Sequence, residues 1–137
     1  MNILVVDAQG GGIGKQLVAA IKQNIQGAVV TAVGANFAAT SAMLKAGADN
    51  AATGENAVLV GARRADVIVG PIGIVIADSL LGEITPAMAT AIGQSRAKRI
   101  LIPINHCDNL IVGVPDLSVT KLVQNVITEI NALCNAE

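Results

Sequence analysis

The stretch Asn2-Ile3-Leu4-Val5-Val6-Asp7, running without interruption into Ala8-Gln9-Gly10-Gly11-Gly12-Ile13-Gly14-Lys15, decides the fold. Its first half is apolar and β-branched, as a strand covered on both faces must be. Its second half is glycine-rich and opens onto Ile13, Leu17, Val18, Ile21 and Ile25, which recur at helical spacing. A buried strand, a glycine turn and an amphipathic helix form the opening of a βαβ unit. Glycines let the backbone approach a bound group closely, and the unpaired N–H groups of a first helical turn attract anions.

Outward from this opening, β-branched runs keep alternating with helical patterns, the signature of a parallel sheet covered by helices. Strands are expected over residues 3–6, 28–33, 48–52, 66–69 and 99–104. Asn36 can cap a small-residue helix that Gly47 terminates. Thr85 followed by Pro86 is a helix start. Asp116 or Ser118 caps a last helix whose apolar face carries Leu122, Val123, Val126, Ile127, Ile130 and Leu133. Residues 74–81 read either as an all-round apolar helix or as an irregular buried run, and residues 110–114 as a short added strand. The expected architecture is a Rossmann-like α/β three-layer sandwich with a mostly parallel sheet of about five strands. It forms a single domain over residues 1–137.

Composition narrows the function classes. The 137 residues are 53% hydrophobic and 14% charged, with a formal net charge of −1, which argues against disorder and against a polybasic nucleic-acid surface. Phe37 is the one aromatic residue, so neither base stacking on single-stranded nucleic acid nor an aromatic sandwich for a flavin or adenine is available. The longest apolar stretch, residues 67–77, is broken by Gly70, Pro71 and Gly73 and is too short to span a bilayer. No basic region precedes the first apolar run, so no signal peptide is read. Cys107 and Cys134 stand at no metal-like spacing, which fits a reducing cytoplasm without a disulfide framework.

In an open parallel sheet, ligands sit beyond the carboxyl ends of the strands. That rule gathers Asp7 to Gly14, Gly34 to Asn36, Thr53 to Asn56, Gly70 to Gly73 and Asn105 to Asp108 at one edge. The first of these loops fits no standard phosphate motif. The dinucleotide fingerprint places its third glycine where Lys15 stands, and Gly34-Ala35-Asn36 offers no acid for a ribose. A Walker loop would need glycine at Gln9 and a hydroxyl at Gln16. What remains is an anion-ready turn of Gly10, Gly11, Gly12, Ile13 and Gly14, with Asn36, Gly70 and Gly73 as further ligand-side positions. No cofactor is named by these residues.

Three side chains are candidates for chemistry. Asp7 either holds a ligand hydroxyl or acts as a base, or it binds the N–H groups of its own loop. Glu55 is a general base or simply an acid in a first helical turn. His106 has the usual proton-shuttle chemistry, but its neighbour Cys107 would point away from it on an extended backbone. One histidine and one cysteine are too few for a zinc site. Asp78 stands in an apolar run, where it must pair, bind a ligand or face outward, with Ser79 and Glu83 sharing its surroundings.

Taken together, the opening turn, Ala42-Met43-Leu44-Lys45-Ala46-Gly47-Ala48-Asp49, Thr53-Gly54-Glu55-Asn56, Gly70-Pro71-Ile72-Gly73 and Gly82-Glu83-Ile84-Thr85-Pro86-Ala87-Met88 resemble a small bacterial family of stand-alone proteins classed as a domain of unknown function. The resemblance covers nearly the whole chain. It implies a Rossmann-like fold and carries no catalytic roles with it. The leading functional expectation is a binding protein or small enzyme that holds a phosphate-bearing metabolite or nucleotide at Gly10 to Gly14, and hydrolase, lyase and reductase chemistry all remain open. The alternatives are a non-enzymatic regulatory subunit that oligomerises through an alanine-rich surface, and a deviant ATPase. A low charge count leaves more apolar surface than a monomer needs, so a homo-oligomer is expected.

Overall fold

The computed structural model describes residues 1–104 and 108–136. Five parallel strands form one sheet: β1 (Asn2–Asp7), β2 (Val29–Gly34), β3 (Asn50–Thr53), β4 (Val67–Pro71) and β5 (Lys98–Ile102), in the order β3-β2-β1-β4-β5. Five α-helices connect or follow them: α1 (Gly12–Asn24), α2 (Phe37–Lys45), α3 (Glu55–Arg64), α4 (Pro86–Gln94) and α5 (Val119–Asn135). The protein is thus a Rossmann-like three-layer α/β sandwich.

Central β1 shows why. Successive side chains of a strand point to opposite faces. Ile3 and Val5 join one core with Leu17, Val18 and Ile21 of α1, Met43 of α2 and Val126 and Ile130 of α5. Leu4 and Val6 join a second core with Val58 and Ala62 of α3 and Met88 and Ile92 of α4. A continuous apolar run is the pattern that two-sided burial requires.

The helix starts follow local chemistry. Asn36 accepts from the Ala39 N–H at 2.9 Å, Thr85 from Met88 at 3.1 Å, and Ser118, rather than Asp116, from Lys121 at 3.2 Å. Helix ends carry Lys22, Lys45, Arg63 and Arg64, and Arg99 donates to the Ser95 carbonyl at the end of α4 at 2.8 Å, each cation set against the negative end of a helix dipole.

One expected element differs, and one open alternative is decided. Residues 110–114 form no strand: Leu110 and Val112 are 91% and 96% exposed, because no neighbouring strand offers them a ladder. Residues 74–81 take the irregular course rather than the α-helix. A 3₁₀ turn over Ile72–Val75 leads into turns with left-handed backbone at Asp78, Leu80, Leu81 and Gly82. Ile74, Ser79 and Leu80 are buried, whereas Asp78 faces solvent. Of the described residues, no helix is long and apolar enough to cross a membrane.

Candidate functional site

The chain builds β1, β2 and β3 outward in one direction and then returns to place β4 on the other side of β1. The connections leaving β1 and β4 therefore diverge, which opens a crevice beyond their carboxyl ends. A hollow of about 240 Å³ lies there, lined by Asp7 to Ile13, Gln16, Pro71 and Leu80. Larger hollows of about 430 and 500 Å³ lie elsewhere, on the face of β2 and β3 beside α3 and between the last turns of α3 and α4. The first lies against a sheet face and the second at helix carboxyl ends, neither in the crevice between β1 and β4, so size does not decide the site.

The turn divides into a structural half and an open half. Gly11 is buried with φ +72°, and a Cβ there would meet the Ala39 Cα at 2.8 Å, so α2 can approach only a glycine. Gly14 is buried too, its N–H donating to Asp7 Oδ2 at 2.6 Å. Gly10 and Gly12 are exposed, with open space where a Cβ would stand. Main-chain bonds close the turn through Gly11 N–H to the Ala8 carbonyl at 3.0 Å and Lys15 N–H to the Gly11 carbonyl at 2.9 Å. Among the described residues, the N–H groups of Gly10, Gly12 and Ile13 have no acceptor.

Asp7 lies beneath the turn, 5% exposed, its carboxylate also accepting from the Ala8 N–H at 2.8 Å. Both oxygens are committed to its own loop. Burial pushes its pKa up, against the pull of the Gly14 and Ala8 N–H groups, and the charge of Glu83 pushes the same way as burial.

Glu83 is the site residue that sequence reasoning placed elsewhere, beside Asp78. Its carboxylate accepts from the Gln9 N–H at 3.1 and 3.3 Å and from Asn36 Nδ2 at 2.7 Å. The left-handed turns at Asp78 to Gly82 bring it there, closed by the Asp78 N–H on the Ile84 carbonyl at 2.7 Å and by Ser79 Oγ on the Gly73 carbonyl. In the sequence it is an acid near Asp78 and ahead of a helix start, marked further by its place in a shared motif with Thr85-Pro86, and neither signal joins it to Gln9.

Asn36 touches the turn without lining the hollow, and its side-chain amide has no spare hydrogen. Its Nδ2 donates to the Gln9 carbonyl at 2.9 Å and to Glu83, while its Oδ1 caps α2. Gly70 and Gly73 are buried and do not line the hollow. A Cβ on Gly70 would stand 2.5 Å from the Val6 carbonyl oxygen, and one on Gly73 would stand 3.1 Å from Ser79 Oγ. Their small size serves packing. Glu55 is exposed in the first turn of α3, after edge strand β3 and two strands away from β1. The Thr53 hydroxyl beside it is 2.7 Å from Thr40 Oγ1, tying β3 to α2. His106 and Cys107 lie outside the described residues. Among the described residues no cluster of three or more His, Cys, Asp or Glu could hold a metal ion.

The parallel sheet and the glycine turn at its switch point define a Rossmann-like α/β protein. More narrowly, the chain belongs to the DUF3842 family, a domain of unknown function whose family model matches residues 2–135. A comparison with curated proteins and another with solved structures each return no match.

Proposed function

We propose that the crevice between β1 and β4 binds a small phosphate-bearing metabolite or nucleotide, with a phosphate oxygen accepting from the N–H groups of Gly10, Gly12 and Ile13. The observation that carries this reading is that these three donors have no acceptor among the described residues and line one hollow at the positive end of the α1 dipole. The two nearby carboxylates leave those donors alone. Asp7 takes Ala8 and Gly14 from below, and Glu83 takes Gln9 from the side. A bound phosphate therefore sits on the solvent side of the turn, away from Asp7. Glu55, on a connection that leaves the same edge, and His106, outside the described residues, are the candidates to contact the remainder of the ligand. The reading carries a cytoplasmic location, supported by the cysteine usage.

Gly12→Asp tests this directly. It sets a carboxylate at the first turn of α1, where an acid favours the helix and repels an anion. Calorimetric titration with inorganic phosphate, pyrophosphate, adenine nucleotides and sugar phosphates should find a binder whose dephosphorylated parent does not bind. Gly12→Asp should keep its thermal stability and lose that binding. A wild type that binds none of these probes, or a Gly12→Asp variant that binds as well as the wild type, overturns the proposal.

A further inference from the structure

We propose that the outer edge of β5 pairs antiparallel with β5 of a second copy, about a two-fold axis through Ile100, so that one sheet runs through a homodimer. β5 ends the sheet, its ladder partner is β4, and no described residue hydrogen-bonds to its outer side. An open strand edge is a template for another chain, and natural edges are usually shortened, charged or covered. The opposite edge follows that practice: β3 has four residues, with Asn50, Ala52 and Thr53 exposed. β5 does not. Its Ile100 and Leu101 are half-buried and extend the two cores, one on each face, out to the open edge. Beside them runs an apolar groove of about 250 Å³, walled by Pro103, Val114, Leu117 and Leu122.

Charge selects a second copy as the occupant and antiparallel as the direction. Lys98, exposed, stands at the amino end of β5, whereas Asp116, exposed between the groove-lining Pro115 and Leu117, belongs to the connection beyond its carboxyl end. Pairing about Ile100 sets residue 98 of each copy opposite residue 102 of the other. Each Lys98 is thereby carried to the Asp116 end of the other copy, and the two-fold axis makes the match twice. Isologous interfaces require this kind of self-complementarity. The sequence pointed to oligomerisation through alanine-rich surface; the open edge and groove favour β5 instead.

The test is the solution mass by light scattering, with three sets of variants. The wild type should run at twice its 13.8 kDa chain mass at micromolar concentration. Leu101→Glu should give a folded monomer. Lys98→Glu and Asp116→Lys should each weaken the dimer, and the double exchange should restore it. In a chain with Cys107→Ser and Cys134→Ser, Ile100→Cys should form an intermolecular disulfide on mild oxidation, because directly opposed Cβ atoms lie about 4.5–5.5 Å apart. A monomeric wild type overturns the proposal. So does a dimer in which Ile100→Cys forms no cross-link, a readout that stands even if Leu101→Glu fails to fold.

Discussion

Replacing Gly14 with alanine puts a methyl group where the turn has no room. Its Cβ would lie 2.6 Å from Met43 Sδ, 2.9 Å from Asp7 Cβ and 3.0 Å from Asp7 Oδ2. The methionine can swing aside within a tight core. The aspartate can move only by giving up its 2.6 Å bond from the Gly14 N–H. Overpacking a core costs about 1–3 kcal/mol. A hydrogen bond to a charged group contributes about 1.5–3 kcal/mol. Alanine recovers about 1 kcal/mol of helix propensity over glycine. The net loss is about 3 kcal/mol, which for a chain of this length lowers Tm by roughly 10–15 °C. Gly12→Ala, two residues earlier in the same helix, is the internal control. No atom lies within 4 Å of its Cβ position, and it should be neutral or stabilising by up to about 1 kcal/mol. Urea unfolding monitored by far-ultraviolet circular dichroism measures both. If Gly14→Ala unfolds within about 0.5 kcal/mol of Gly12→Ala, the clamp between Asp7 and the first turn of α1 is not what fixes this turn.

Asp7 and Asp49 should tilt the pH dependence of stability in opposite directions. Asp7 has its pKa raised by burial, so the folded state holds that proton more tightly; its contribution is most favourable below the ordinary aspartate value of about 3.9 and declines as pH rises through the folded value. Asp49 has its pKa lowered by Lys22, 2.8 Å away, and by the Val30 N–H, so its stabilisation is present above about 3.9 and fades as pH falls through the folded value. Unfolding free energies of Asp7→Asn and Asp49→Asn against pH should therefore diverge from the wild type with opposite slopes, and equal slopes would sink this assignment. Ser95 links the ends of α3 and α4, donating to the Ala62 carbonyl at 2.6 Å and accepting from the Ala97 N–H at 3.1 Å. Ser95→Ala should cost about 1–2 kcal/mol by leaving that N–H unpaired, and an unchanged urea midpoint would show the link is not stabilising.

What was legible in the sequence is what neighbours along the chain decide. The apolar run at Ile3 to Val6, the helical spacing from Ile13, the caps at Asn36 and Thr85 and the two-sided burial of β1 are consequences of local periodicity and of donors within four residues. They sufficed for an α/β sandwich with its glycine turn at a strand end. Strand order is not local. That β4 returns to the far side of β1, which creates the crevice, depends on which apolar faces pack together across the whole chain. For the same reason residues 110–114 read as a strand and yet form none: a β pattern needs a partner to become a ladder. The site shows the division most sharply. Asp7 and Gly14 announced a turn, but tertiary contact committed the Asp7 carboxylate to that turn and pulled Glu83 onto Gln9 from 74 residues away. The sequence by itself determined where an anion-ready turn stands; only the folded structure decided which of its N–H groups are left open, because that depends on side chains arriving from distant strand ends.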